Sequence, residues 1–96
     1  MTAQVLSRQM GITHADFFRL LPQVLAGRCW RRNGATVVVT EGHRRLRIQL
    51  APEAERRMAS LRLPVTRVSL AFDGYTEQDS AAFMARLERY FQRGGG

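Results

Sequence analysis

Hydrophobic positions in the first third of the chain follow a helical period. Phe17, Leu20, Leu21, Val24 and Leu25 recur at spacings of three and four, which at about 100° per residue gathers them on one face. Thr13 followed by Asp16 has the form of a helix N-cap with an acidic partner at the third helical position. Pro22 falls inside this pattern and cannot donate to the carbonyl of Phe18, so it predicts a kink or a restart, with Gly27 as the stop.

Beyond Gly27 the period drops to two. Asn33-Gly34 and Glu41-Gly42 punctuate the alternation as hairpin turns, which predicts a three-stranded meander. Taken as two-residue loops, they pair Arg32 with Ala35 and Thr40 with His43, and place Trp30, Val37 and Leu46 in one cross-strand row. Ala35, Val39, Ile48 and Leu50 share that apolar face. Cys29, Arg31, Thr36, Val38, Arg45, Arg47 and Gln49 occupy the other, and Arg44 sits near the rim.

Pro52 reads as the opening of a short helix over 53–60. Glu53 and Glu55 suit its first turn, Ala54, Met58 and Leu61 its inward face, and Arg56 and Arg57 the negative end of its dipole. Pro64 then introduces a fourth strand, where Val68, Leu70 and Phe72 alternate with Arg67, Ser69 and Ala71 and Asp73-Gly74 ends the run. Thr76 with Asp79 repeats the capping signature for a last helix to about Arg93, with Gly94 as its cap. Phe83, Met84, Leu87, Tyr90 and Phe91 form its buried stripe, and Arg86, Arg89 and Arg93 lie opposite.

These elements predict an α+β domain over 12–93 in the order α-β-β-β-α-β-α. Residues 1–11, which show no sustained period, form a flexible arm, and 94–96 form a glycine tail. The helices cover one face of a four-stranded, mainly antiparallel sheet. A right-handed crossover sets the fourth strand beside the first, and a return beside the third also fits. Over residues 13–60 the αβββα order resembles the double-stranded RNA-binding fold. That family docks through a lysine-rich start of its last helix, where this chain has Pro52, Glu53 and Glu55, so membership is rejected.

Composition then narrows the function. A chain of 96 residues with 45% hydrophobic content supports one modest core. No apolar run approaches the ~20 residues of a membrane span, and no signal-peptide pattern opens the chain, so no membrane partner and a cytoplasmic location are expected. Cys29 is the single cysteine, which excludes an intramolecular disulfide and reads as a buried thiol. All fifteen basic residues are arginine, and the net charge is +7. Codon bias in a GC-rich bacterial genome accounts for the absence of lysine; only position distinguishes a functional arginine from a solvated one.

Two groups stand out by position. Arg31, Arg45, Arg47 and Arg67 share the polar sheet face, and Arg86, Arg89 and Arg93 form the helix stripe. Guanidinium forks match carboxylates and phosphates in bidentate geometry, and a sheet holds them on a rigid platform. The face lacks aromatic side chains on which bases stack, so an acidic protein partner is the first expectation and nonspecific nucleic-acid binding the alternative. An edge-to-edge homodimer is compatible with an open sheet. His14, Cys29 and His43 have no metal-ligand spacing, no nucleophile–base pair suggests an enzyme, and no cofactor is expected. The terminal Gly95-Gly96 is similar to the double glycine of ubiquitin-like sulfur carriers, which makes a carrier the remaining alternative, although those glycines extend from a strand rather than a helix.

Overall fold

The computed structural model describes residues 4–94, with side chains to Gln92. The elements in chain order are β1 (Gln4–Met10), α1 (His14–Leu25), β2 (Cys29–Asn33), β3 (Thr36–Glu41), β4 (Arg44–Leu50), β5 (Ala54–Met58), β6 (Leu61–Asp73) and α2 (Glu77–Gly94). The strands order as β1-β6-β4-β3-β2, with β5 also on β6, and every pair is antiparallel. The α+β class and the antiparallel sheet match expectation. The count does not: among the described residues six strands and two helices replace four and three.

Both helices cover one sheet face. Phe17, Leu20, Leu21, Val24 and Leu25 of α1 and Phe83, Met84, Leu87 and Phe91 of α2 are buried against Val37, Val39, Leu46, Ile48, Leu50, Val68, Leu70 and Phe72. Phe17 stacks on Phe91 at 4.8 Å and joins the two helices, while Phe72 meets Phe83 edge-on at 5.8 Å and joins α2 to the sheet. Full burial of each such side chain contributes roughly 1.5–3 kcal/mol. Both predicted caps form: Thr13 accepts from the Asp16 amide at 3.1 Å, and Thr76 from the Asp79 amide at 3.0 Å. Helix α1 runs through Pro22 without a restart. Pro22 is exposed, so the carbonyl it leaves unpaired lies on the wet side of the helix. Ala26, at φ 47°, closes α1 by donating its amide to Pro22 O.

The meander pairs two residues out of the expected register. Asn33 faces Thr36 and Glu41 faces Arg44, so the loops are Gly34-Ala35 and Gly42-His43, and Trp30 pairs with Val39 rather than Val37. Both glycines have φ +62°, the conformation that a glycine-first hairpin turn requires at its first loop position. A slip of two leaves every side chain on its expected face, because the strand period is also two.

Two segments depart further. Residues 4–10, expected within a flexible arm, are β1, paired along its length with β6 from Gln4–Phe72 to Met10–Thr66. Residues 54–58, expected as helix, are β5, which forms a hairpin with residues 61–65 through a turn at Ala59, φ +57°. Every residue of β5 is exposed. A helix there would have had no packing partner, and a helix this short does not stand alone in water. The similarity to the αβββα order ends with it.

Strand β5 continues β4 along the same edge of β6. Leu50 faces Val68 and Ala54 faces Val65, so three residues, 51–53, oppose two, 66 and 67: a β-bulge at Pro52. The bulge is tied to α1, since His14 donates Nε2–H to Ala51 O at 2.7 Å and Glu53 accepts the His14 amide at 3.0 Å. Glu53 therefore serves the N-terminus of α1 rather than a helix of its own. Because β6 returns antiparallel on β4, the last strand lies beside the third of the meander and not the first. Thirteen residues at about 3.3 Å each make β6 about 40 Å long, which accounts for most of the 47 Å long axis.

Candidate partner-binding face

The sheet face opposite the helices is open. Period-two alternation brings Cys29, Arg31, Val38, Arg45, Arg47, Arg67, Ala71 and Val5 to it. Arg31 and Arg47 flank Val38 in one row, about 10 Å apart by strand spacing, and Arg45 is about 7 Å from Arg47 along β4. Arg67 stands apart, one strand over and four residues along, roughly 14 Å from Arg47. The structure thus gathers three of the four expected arginines, and places the fourth at the root of the β5–β6 hairpin. The first three line an open groove of about 740 Å³ with Cys29, Val38 and Gln49.

None of these four guanidiniums makes a hydrogen bond or an ion pair with another described residue. Elsewhere arginines are held: Arg8 by Glu88 at 3.0 Å, Arg28 by Glu41 at 3.4 Å, and Arg44 by Asp79 at 3.3 Å. Arg32 lies 3.5 Å from the centre of the Phe18 ring. On the open face of the main sheet Asp73, opposite Arg45, is the one acid among the described residues. Four arginines against one aspartate leave this face net positive.

The helix stripe divides. Arg86 donates Nε–H to Val24 O at 2.9 Å and Nη2–H to Gln23 O at 3.1 Å, and lies 5.1 Å from the Tyr90 ring. It caps the C-terminal turn of α1, which has no basic residue of its own. Arg89 is exposed, and Arg93 lies in the last turn of α2.

Sequence reasoning missed the hairpin. Met58 and Leu61, expected to face inward, are 57% and 61% exposed. Arg56 and Arg57 have no helix dipole to serve; Arg56 reaches only a long contact with Gln9 at 3.5 Å, and Arg57 and Arg62 have no partner among the described residues. Cys29, read as a buried thiol, is exposed, because it sits on edge strand β2 with its side chain on the open face. No local signal marked the hairpin, because Ala54, Met58 and Leu61 recur at helical spacing after Pro52 with Glu55, Arg56 and Arg57 on the other side.

Tyr75 occupies a different corner. Its ring lies 5.2 Å from the Arg44 guanidinium and edge-on to Phe72, and its buried hydroxyl has no partner. Burial, then the nearby Glu41 carboxylate, push that hydroxyl above its ordinary range. The surrounding ion pairs brace the β3–β4 turn against α2.

Among the described residues no cluster of three metal-ligating side chains forms, and no helix is long and apolar enough to cross a membrane. Gly95 and Gly96 lie outside the described residues. No family model matches the chain, and no curated protein or solved structure matches it significantly.

Proposed function

We propose that the protein is a small, basic, non-enzymatic binding module whose open sheet face recognises an acidic protein surface. The supporting observation is the contrast in pairing: Arg31, Arg45, Arg47 and Arg67 make no hydrogen bond or ion pair with a described residue, whereas Arg8, Arg28 and Arg44 are held by carboxylates. Rigid strands fix the backbone beneath these forks, so binding orders side chains alone, and carboxylates match them in bidentate geometry. Nucleic acid satisfies the same charges, but among the described residues the face carries no aromatic platform: Trp30 edges the groove, yet by register its side chain points to the helix side with Val39.

Binding of poly-glutamate and of duplex DNA at rising salt tests this reading. The wild type is expected to bind poly-glutamate, and the variant Arg31→Thr, Arg45→Thr, Arg47→Thr, Arg67→Thr to lose at least roughly tenfold in affinity with its melting transition retained. Equal binding by the variant returns these arginines to ordinary solvated positions. Duplex binding that outcompetes poly-glutamate and falls linearly in log–log salt dependence favours nucleic acid instead.

A further inference from the structure

Among the described residues four large hydrophobic side chains are exposed: Val5 at 64%, Leu61 at 61%, Met58 at 57% and Leu63 at 42%. The register assigns all four to one side of the molecule. Leu61 and Leu63 lie on β6 at the period of Arg67, and Met58 pairs directly with Leu61, so these three share a face of the hairpin. Val5 faces Ala71 on the open side of the main sheet. The one extra residue of the bulge lies on the β4–β5 side, so β6 carries the open face through into the hairpin without interruption.

We propose that this ridge and the arginine face form one bipartite docking surface, and that its occupant is an acidic protein segment that also carries large apolar side chains. The inference rests on the acidic-partner reading above and adds the second half of the partner's chemistry. Charge complementarity selects the occupant. Arg56, opposite Leu63, and Arg67, at the root of the hairpin, border the ridge on its own face, and Arg57 and Arg62 pair with each other on the reverse. A second copy laid ridge to ridge would bring these arginines together at like charge. A segment with alternating acidic and apolar residues meets both halves.

Fluorescence anisotropy with two labelled peptides of equal length and charge tests the proposal, one with leucine and one with serine between its glutamates. The wild type is expected to bind the leucine peptide at least roughly tenfold more tightly than the serine peptide, the scale of burying a few half-exposed apolar side chains. The variant Met58→Ser, Leu61→Ser, Leu63→Ser should bind both peptides with the affinity the wild type has for the serine peptide. Leu63→Gln alone, which leaves the charge unchanged, should weaken the leucine peptide selectively, and it serves as the second variant if the triple one melts early. A leucine preference that survives both variants overturns the ridge and leaves the acidic-partner reading standing through the serine peptide. Failure of the wild type to bind either peptide overturns both. Ridge-dependent flotation with phosphatidylserine vesicles, or a ridge-dependent shift of a DNA duplex, overturns the class of partner proposed.

Discussion

Arg31 and Arg32 are consecutive residues of one strand, as are Arg44 and Arg45, and in each pair one arginine is held and the other is not. Arg32 donates Nε–H to Gly34 O at 2.9 Å and covers the Phe18 ring, whereas Arg31 makes no polar contact with a described residue. Arg44 reaches Asp79 and Glu41 and lies over Tyr75, whereas Arg45 faces Asp73 across the strand without an ion pair. The residue type is the same at all four positions. The pleat then sorts them, since alternate residues point to opposite faces and only one face is roofed by helices that bring aromatic rings, carboxylates and carbonyl ends. Within the main sheet an arginine's role is therefore set by the parity of its position in the strand; in the β5–β6 hairpin, which no helix covers, Arg57 and Arg62 stay unheld on the reverse face.

Paired substitutions can break that comparison. The largest effect is expected at Leu46, fully buried between the unheld Arg45 and Arg47. Leu46→Ala should cost about 2–5 kcal/mol in urea unfolding, because the removed methyl groups leave a cavity under both helices. Next comes Arg86→Ala, which strips two carbonyls at the end of α1 of their donor and should cost about 1–2 kcal/mol; a loss no larger than that of Arg89→Ala would show that the capping bonds contribute little.

Tyr75→Phe removes a buried hydroxyl that has no partner, so at neutral pH stability should hold or rise by up to about 1 kcal/mol. The tyrosine's raised value also carries a sign. The native state keeps this proton at pH values where the unfolded chain, titrating near 10, has lost it, so stability is full below about pH 10 and falls as pH rises beyond it. Denaturation at pH 9 and pH 11 should show a smaller alkaline loss in Tyr75→Phe than in the wild type. Smallest of all are Arg31→Ala and Arg45→Ala, each expected within about 0.5 kcal/mol of wild type in the same unfolding assay. A loss comparable with that of Arg86→Ala would show that the open face has structural duties.

Local signals carried much of this architecture. Both helices, both threonine caps and the two faces of the meander follow from spacing, because they depend on neighbours three, four or two residues away. The faces survived even a wrong register, since a slip of two preserves parity. Strand β1 was not legible: Gln4 and Arg8 stand at positions that face the helix side, which blurs the alternation of an edge strand. Its place comes from pairing with β6, about sixty residues away in the chain. Strand β5 misled for the opposite reason. Ala54, Glu55, Arg56, Arg57 and Met58 are good helix formers after a proline, and a propensity of a few tenths of a kcal/mol per residue yielded to a continuous hydrogen-bonded edge.

All four sheet arginines could be assigned to one face from the sequence, because alternation within each strand fixes the face each side chain takes. The wider surface could not. Arg67 and the Met58–Leu61–Leu63 ridge meet the others only because β6 runs antiparallel beside β4 and passes the bulge at Pro52. Local order in the chain is enough to say which residues alternate, where the two helices begin, and that the charge is wholly guanidinium. Which edge each strand joins, and hence which arginines are neutralised and which apolar side chains stay in water, follows from pairing between residues far apart in the chain, and that pairing leaves no trace in local period.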